Sequence, residues 1–431
     1  GLTYVLSKHL SRLKWIPLLV ALLVALSREH VRLSHYMAVD VMATFFCIAC
    51  ITACTLALAQ NKPGWLWAAA LLGGLSTSCK YNYALLAIPV TLACLLTPGV
   101  AWGKRIARLV LCGALFVGAF LAGSPYMLLD REAAWTGIQS ELKHYAGGHL
   151  GQTGNSFIWY LNYLQIVNPF YLILGIPGIA LSIWRERRAA LPWTVFALVY
   201  FWLIGRQTVH FGRNALPVMV LLIVGVGATV ESLVSWIPAK VRDKKWGTGR
   251  WRLSPYSVAA VLLALVPLIP SLISLPALVE PPRPSGKALA QAWFDEQLDT
   301  PAGRRYLDKS GDRSLNFVGE SYTVYLEPSR VNVKYFTSMT HIKREQDEQM
   351  IRGPQDLLDQ GYDVALLGTG MFHRFYDNPD VFAKQVQLYD ALLGSNTVAF
   401  DQGGDVLAFR GDGLQVYVVS VSYTHLRAHE T

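Results

Sequence analysis

Charged residues are scarce in this sequence. Asp, Glu, Lys and Arg make up 16% of its 431 residues, whereas a soluble domain has about a quarter. Hydrophobic residues reach 53% and include 13 Trp and 20 Tyr. This composition excludes a disordered chain and disfavours an ordinary cytosolic globule. It is typical of a membrane protein, in which amphipathic rings lie at the lipid–water interface.

Cysteine is absent after Cys112, so the C-terminal part of the chain contains no disulfide bond. Cys47 and Cys50 form a CxxC pair, but they lie in an apolar run and share one small-residue stripe with Cys54. Small residues at this spacing favour close helix packing. We therefore expect packing there, not metal or redox chemistry.

The net charge of +9 is unevenly distributed along the chain. Residues 1–279 contain 23 Lys and Arg against 8 Asp and Glu, whereas the remaining residues contain 15 against 21. The basic surplus lies between apolar runs, where it indicates orientation in a membrane. Nucleic-acid binding would need a basic patch on a folded face, so we expect no nucleic-acid partner.

Apolar runs predict about nine membrane spans in residues 1–279, since a span needs roughly 20 apolar residues. Trp15–Ser27 is a short candidate. Gly64–Thr97 is too long for one straight span and predicts two short helices that turn at Cys79–Asn82. Six further runs contain no charged residue: Val41–Ala59, Leu109–Leu129, Ser156–Trp184, Ala189–Gly205, Asn214–Val230 and Leu253–Val279.

The loops between these spans differ in charge. Those on one side hold 16 Lys and Arg and those on the other hold seven. The positive-inside rule makes the first side cytoplasmic, and it places the segment after Val279 outside. The lipid bilayer is thus one expected partner.

Residues 280–421 read as a soluble extracytoplasmic α/β domain behind a stiff linker, Glu280–Pro284. Two helices are predicted there, from Ser285 to about Leu298 and over Asp380–Leu393. The predicted strands are Asp363–Gly368, Val398–Phe400, Val406–Arg410 and Leu414–Val419. The predicted fold class is therefore a polytopic α-helical membrane protein with a C-terminal extracytoplasmic α/β domain.

Both ends of the chain have unusual features. Gly1 lies in what reads as the last turn of an apolar helix, so we expect natural sequence to precede it. Residues 422–431 (SYTHLRAHET) break from the strand-like run before them, and we expect this segment to be a non-native tail.

Two ionisable residues at the outer membrane face are candidates for function, because such groups are costly at membrane depth. Asp40 opens an uncharged apolar run, where a helix N-terminus stabilises its charge. It is suited to orient a sugar or a cation, or simply to cap the helix. Lys80 is the only charged residue of Gly64–Thr97. Its ammonium needs a lipid phosphate or a carboxylate such as Asp40, unless it snorkels to the interface.

Two outer loops add further candidates. Arg206 and Arg213 lie between two predicted spans, where guanidinium groups suit either bidentate phosphate binding or contact with anionic headgroups. Asp130, His144 and His149 belong to an outer segment that we expect to lie flat on the bilayer and gate a site. Two His residues five positions apart are a weak signal for a metal.

Several segments, in their order along the chain, resemble the polyprenyl-phosphate-sugar-dependent glycosyltransferases of the C-type membrane fold. This group is glycosyltransferase family 39-like, and it includes the protein O-mannosyltransferases and the lipid A aminoarabinose transferase. The resemblance is carried by Leu33–Asp40, Gly74–Leu85, Gly123–Asp130, Gly147–Gly154, Phe211–Pro217 and Tyr362–Asp377.

The resemblance implies a multi-pass enzyme of the cell (inner) membrane. It would move a hexosyl or pentosyl group from a polyprenyl-phosphate carrier to an unknown lipid, glycan or protein acceptor outside the cytoplasm. No cofactor and no metal are expected. Asp40 is implied as an auxiliary acid. The implied substrate and lipid-phosphate-binding residues are Lys80, Tyr81, Arg206, Arg213 and His35.

The main catalytic base of such enzymes lies in a first outer loop that precedes the segment at which this chain begins. We therefore expect these 431 residues to be inactive alone. Two other functions fit the same pattern. A transporter or flippase of a lipid-linked or anionic substrate would also place basic residues in membrane loops, although internal repeats typical of transporters are not seen. The other is a structural anchor for the outer domain.

Overall fold

The computed structural model describes residues 1–35, 38–149, 151–238, 255–274, 276, 286–321, 323–341, 351–394, 396–399 and 415–419. The chain divides into two compact units. The helical unit comprises residues 1–149 and 154–280, and the α/β unit comprises residues 150–153 and 281–431. The predicted linker Glu280–Pro284, the strand Val406–Arg410 and the tail 422–431 lie outside the described residues.

The described part of the helical unit consists of α-helices and short 3-10 turns. The 3-10 turns cover Tyr81–Leu86, Gly212–Ala215 and Val266–Leu268. The helices are α1 (Leu2–Lys8), α2 (Ile16–Ala25), α3 (Arg28–Ser34), α4 (Val39–Gln60), α5 (Pro63–Cys79), α6 (Ala87–Leu96), α7 (Trp102–Gly123), α8 (Tyr126–Leu129), α9 (Arg131–Gly147), α10 (Ser156–Val167), α11 (Phe170–Ile173), α12 (Gly175–Arg185), α13 (Arg187–Arg206), α14 (Leu216–Ser235), α15 (Pro255–Leu265) and α16 (Ile269–Ser274).

Five helical segments in the described residues are long and apolar enough to cross a membrane. They are Val39–Gln60, Trp102–Gly123, Arg187–Arg206, Gly212–Ser235 and Tyr256–Ser274. A bent pair formed by α10 with α11 and α12 makes a sixth if it is one span, and shorter apolar helices cover Ile16–Ala25 and Tyr81–Leu96. These helices confirm a polytopic helical membrane protein, whereas the count of nine spans stays a prediction.

Helices α4 and α14 occupy the centre of this unit. Most of their residues are buried, 78% of the most apolar stretch of α4 and 89% of that of α14, although Val39, Met42 and Phe45 near the start of α4 are exposed. Only 11% of the most apolar stretch of α7 is buried. Helix α7 therefore lies at the rim of the bundle, and we expect its exposed apolar surface to face lipid. The predicted packing stripe of Cys47, Cys50 and Cys54 is fully buried in α4.

The predicted turn inside Gly64–Thr97 is confirmed. Helix α5 ends at Cys79, and Lys80 adopts an extended conformation with φ −157° and ψ 122°. The 3-10 turn that leads into α6 starts directly afterwards, at Tyr81. Lys80 is thus held at a break between two helices and not within one.

Two predicted spans differ from the structure. Ser156–Trp184 is not one straight helix but bends by 107° between α10 and α11. The bend lies at Asn168, whose backbone is extended because Pro169 disfavours a helical residue before it. The Asn168 amide stabilises the bend by donating to the carbonyl of Pro267 at 2.9 Å. Leu109–Leu129 ends earlier than predicted, at Gly123, where the segment Ser124–Pro125 leaves the helix.

The carboxylate of Glu231, near the C-terminal end of α14, links three parts of the helical unit. Glu231 accepts hydrogen bonds from the backbone N–H groups of Arg12 and Leu13 at 2.6 and 2.7 Å. Its other oxygen lies 3.2 Å from Arg185 Nη1. These contacts bring together the α1–α2 loop and the ends of α12 and α14. The charge pattern assigns all three regions to the same side of the membrane.

The α/β unit contains a five-stranded sheet in the order β2-β1-β3-β5-β4, with all described pairs parallel. The strands are β1 (Phe317–Glu320), β2 (Val333–Phe336), β3 (Val364–Gly368), β4 (Asn396–Ala399) and β5 (Gln415–Val419). The described helices are α17 (Gly286–Leu298), α18 (Pro301–Tyr306), α19 (Pro354–Leu358), α20 (Thr369–Tyr376) and α21 (Ala383–Leu393), with a 3-10 turn over Met339–His341.

Helices cover both faces of this sheet, as parallel sheets require. Phe317 and Val364 pack with Phe294 of α17 on one face. Val318 and Ala365 pack on the opposite face with residues of α20 and α21. Strand β3 and helices α17 and α21 were predicted closely. Strands β1 and β2 were not predicted, because four-residue strands give little periodicity.

Candidate functional site

Asp40 lies in the first turn of α4 and is almost fully buried. Ala38 occupies the N-cap position, and no side chain caps this helix. Asp40 is therefore not the cap that its spacing also allowed. Its carboxylate instead faces the ends of two other helices, and the α4 N-terminus stabilises its charge.

Lys80 follows the last residue of α5, and its Nζ atom lies 2.7 Å from Asp40 Oδ1. The same Nζ donates to Asn214 Oδ1, also at 2.7 Å. The Lys80 side chain is 16% exposed, so most of it is buried in the bundle. The carboxylate that the sequence named as a partner for Lys80 is thus present in the structure.

Arg213 is the second cation near Asp40. It lies in the 3-10 turn before α14, with Nε 3.9 Å from Asp40 Oδ2. Its guanidinium carbon lies 4.4 Å from the ring centroid of Phe211. The Arg213 side chain is 45% exposed, so it is open to a ligand on one side. We call Asp40, Lys80, Arg213 and Asn214 the outer cluster.

Asn214 is fully buried and was not singled out from the sequence. Its Nδ2 donates to the hydroxyl of Tyr160 at 3.3 Å. The same hydroxyl accepts from the backbone N–H of Phe211 at 3.2 Å. Tyr160 is itself fully buried in α10. Both residues are neutral, and the sequence signal for Asn214 was only its place in the segment Phe211–Pro217.

The other predicted phosphate and substrate residues lie elsewhere. Arg206 ends α13 and stacks over Trp202, with its guanidinium carbon 5.5 Å from the ring centroid. Tyr81 is 44% exposed and packs edge-on against Phe120. His35 lies exposed at the C-terminal end of α3. Within the described residues, no hydrogen bond or ion pair joins any of these three side chains to the outer cluster.

The outer segment between α7 and α10 is mainly helical. Asp130 is exposed and caps α9 by accepting from Ala133 N at 3.1 Å, so its observed role is structural. The ring centroids of His144 and His149 lie 5.4 Å apart, and His149 packs 5.2 Å from Phe211. Within the ranges that the structure describes, no group of three His, Cys, Asp or Glu residues is arranged to hold a metal ion.

A further buried ion pair, in α3, was not predicted from the sequence. Glu29, in the first turn of α3, is 1% exposed, and Arg32 binds both of its oxygens at 2.7–3.2 Å. On a neighbouring helix, Trp159 stacks on Tyr163 at 5.2 Å. His210 lies on Trp159, with the two ring centroids 4.6 Å apart. An i,i+3 pair inside a polar segment gives no sequence signal that distinguishes it from an exposed one.

Among the described residues of the α/β unit, Glu320 is the buried carboxyl group. Glu320, at the carboxyl end of β1, is fully buried. It accepts hydrogen bonds from the hydroxyl of Tyr389 and, at 3.0 Å, from the backbone N–H of Gly368. Burial raises the pKa of Glu320 to about 7 from an ordinary value of 4.5, although these hydrogen bonds oppose the change.

The outer cluster has a formal charge of +1, from two cations and one carboxylate. All its members lie at the same end of the helical unit: the start of α4, the end of α5 and the turn before α14. Cations held in this way suit a phosphate group, which takes charge-assisted hydrogen bonds from ammonium and guanidinium groups.

A comparison with models of protein families agrees with the predicted resemblance. Residues 2–122 match the family model described as dolichyl-phosphate-mannose-protein mannosyltransferase. This segment runs from α1 to α7 and contains Asp40 and Lys80. It confirms the predicted resemblance to membrane glycosyltransferases of the C-type fold.

The chain is also similar to the crystal structure of the Archaeoglobus fulgidus oligosaccharyltransferase in its apo form. The identity is 15% and the TM-score is 0.46, over 74% of this chain and 50% of that chain. The chain thus spans about half the length of that protein. No curated protein sequence matches it.

Proposed function

We propose that this protein is an integral-membrane glycosyltransferase that moves a sugar from a polyprenyl-phosphate carrier to a lipid, glycan or protein acceptor. The observation that carries the proposal is the outer cluster, in which Lys80 and Arg213 converge on Asp40 at the ends of membrane helices. The family match over residues 2–122 supports the proposal.

The proposed role of the two cations follows from the chemistry of the donor. When the bond between the sugar and the carrier phosphate breaks, negative charge develops on the phosphate. Cations fixed in advance stabilise that charge in the transition state. Lys80 is held by two hydrogen bonds, and Arg213 is partly exposed beside it. We assign Lys80 to bind the phosphate from the buried side of the site and Arg213 to bind it from the exposed side.

Asp40 is assigned as the auxiliary acid. Its Oδ1 lies 2.7 Å from Lys80 Nζ and its Oδ2 lies 3.9 Å from Arg213 Nε, so both cations lie beside this one carboxylate. A carboxylate is also an acceptor for sugar hydroxyl groups. We assign Asp40 to orient the donor sugar or the acceptor, while the carrier phosphate binds to Lys80 and Arg213.

The proposed location is the cell (inner) membrane, with the outer cluster and the α/β unit on the extracytoplasmic side. The charge difference between the two sets of loops supports this orientation. A reporter enzyme that is active only outside the cytoplasm tests it when fused after residue 421. An inactive reporter, beside an active one fused after residue 206, would contradict it.

Binding of the carrier tests the proposed site. The protein in lipid nanodiscs is titrated with a short polyprenyl monophosphate, with the uncharged polyprenol of the same length as a reference. We expect Lys80→Met to weaken binding by roughly 10- to 100-fold, since a hydrogen bond to a charged group contributes about 1.5–3 kcal/mol. Lys62→Met, at the opposite end of α5, is the matched control. Equal binding by Lys80→Met and the unchanged protein would refute the site.

A second assay separates the transferase from a transporter or flippase. Proteoliposomes receive a fluorescent polyprenyl-phosphate sugar in both leaflets, and a membrane-impermeant quencher reports how much is in the outer leaflet. A transferase leaves this distribution at the rate of protein-free vesicles. Rapid protein-dependent exchange between leaflets would favour the transporter. A protein that does not bind the polyprenyl monophosphate in nanodiscs and does not accelerate exchange between leaflets would favour a structural anchor.

A further inference from the structure

We infer that Asn214 is a positioning residue that holds the Lys80 ammonium ready for the carrier phosphate without cancelling its charge. The inference rests on the proposed function, because it concerns the same phosphate. It adds a buried neutral pair, Asn214 and Tyr160, to the charged residues that the sequence indicated.

The first argument is the number of donors on Lys80. An ammonium group has three N–H donors. Two of them are used, one by Asp40 Oδ1 and one by Asn214 Oδ1, each at 2.7 Å. Among the residues that the structure describes, no third acceptor is bonded to this Nζ atom. Two fixed bonds determine the direction of the third N–H, which is left for a ligand.

The second argument is charge. With Asn214 the outer cluster has a formal charge of +1, since Asp40 balances one of the two cations. A carboxylate at position 214 would hold Lys80 equally well, but it would lower the charge of the cluster to zero. Because charges interact strongly at such short range in a partly buried site, an amide keeps the attraction for an anion. An amide therefore positions the ammonium and preserves its charge.

The third argument is that the Asn214 amide is itself fixed. Its Nδ2 donates to the hydroxyl of Tyr160 at 3.3 Å, so its oxygen must face Lys80. The Tyr160 hydroxyl is held in turn by the backbone N–H of Phe211 at 3.2 Å. Tyr160 has no room to move, because it is fully buried and its ring packs edge-on against Trp159. A rigid support of this kind is what a positioned catalytic group needs.

The test measures the affinity of the full chain in nanodiscs for farnesyl monophosphate at low and high salt. Asn214→Asp keeps the shape of the side chain and adds one negative charge. We expect its Kd to rise at least about tenfold at low salt, and the salt dependence of binding to flatten because the attraction has been removed. The melting temperature should stay equal or rise, since Lys80 gains a second carboxylate.

Two other variants complete the series. Asn155→Asp is the matched control, because Asn155 is exposed and caps α10 by accepting from Phe157 N and Ile158 N, a role that Asp fills equally well. It should bind as the unchanged protein does. Tyr160→Phe keeps the charge but removes the hydroxyl to which the Asn214 amide donates. We expect it to weaken binding about threefold with the salt dependence retained.

The outcomes distinguish the inference from the proposed function. If Lys80→Met loses binding while Asn214→Asp and Tyr160→Phe bind normally, the inference is wrong and the phosphate site stands. If Lys80→Met also binds normally, the proposed function fails with it. If Asn214→Asp fails to fold, Tyr160→Phe decides: normal affinity in that variant overturns the inference.

Discussion

The ion pair between Lys80 and Asp40 predicts that stability and phosphate binding can be separated by mutation. Lys80→Met keeps an unbranched apolar side chain, one atom shorter than that of Lys, but removes the charge. It leaves the buried Asp40 carboxylate without its closest partner. Asp40→Asn in the same chain then removes the unpaired charge, so the double variant has neither charge and no buried carboxylate.

The expected magnitude follows from the geometry. Two unit charges 2.7 Å apart attract by about 6 kcal/mol at an effective dielectric constant of about 20. Desolvation opposes much of this attraction, and breaking a buried pair costs about 3–5 kcal/mol in measured cases. Arg213 compensates only in part, because it lies 3.9 Å from Asp40 and is 45% exposed. We therefore expect Lys80→Met to lose about 3 kcal/mol, which is roughly 5 °C in Tm for a unit of this size.

The assay is thermal unfolding followed by tryptophan fluorescence, with binding of a polyprenyl monophosphate measured on the same samples. Lys80→Met should lose both stability and binding. The double variant Lys80→Met with Asp40→Asn should regain most of the lost stability and none of the binding. A single variant as stable as the unchanged protein would refute the buried pair. A double variant that also regains binding would refute the role of Lys80.

Three further predictions concern other parts of the fold. The pKa of Glu320 is raised to about 7 from 4.5. Its protonated form therefore stabilises the fold fully below pH 4.5, and this contribution to the free energy of unfolding, about 3 kcal/mol, is lost as the pH rises through 7. Hydrogen exchange of β1 should accelerate over that range beyond the intrinsic effect of pH, and Glu320→Gln should remove the difference. Glu231→Ala removes the acceptor for Arg185 and for two backbone N–H groups. We expect the free energy of unfolding, measured by thermal unfolding, to fall by about 3 kcal/mol. Glu231→Gln retains an acceptor oxygen and should lose less. Gly178→Ala would push a Cβ into the backbone of α14 and lower Tm by the equivalent of about 1–3 kcal/mol, whereas Gly118→Ala, with open space around it, should be neutral or stabilising.

Two charged members of the outer cluster, Asp40 and Lys80, could be predicted because each is isolated, whereas the sequence did not separate Arg213 from Arg206. Asp40 and Lys80 border or interrupt long uncharged runs, and Arg213 lies between two apolar helices. A lone charge at membrane depth stands out in a sequence because its burial is costly. Asn214 and Tyr160 are neutral, and neutral polar residues occur throughout such helices, so only the folded arrangement indicates their contacts with Lys80.

The fold shows the same division between strong and weak sequence signals. The break at Lys80 could be predicted because Gly64–Thr97 is too long for one straight span. The bend at Asn168 was missed because apolar composition alone does not register a Pro-induced turn inside a hydrophobic run. In the α/β unit, the run of buried residues in β3 was visible. Strands β1 and β2 were not, since each has only four residues.

The measurement that tests the central claim most directly is photo-crosslinking with a polyprenyl monophosphate that carries a photoreactive group next to its phosphate. The labelled protein is digested, and the modified peptides are identified by mass spectrometry. Binding at the outer cluster predicts labelling of peptides that contain Lys80 and Arg213, with loss of that label in Lys80→Met. Labelling confined to other loops, unchanged in that variant, would contradict the account.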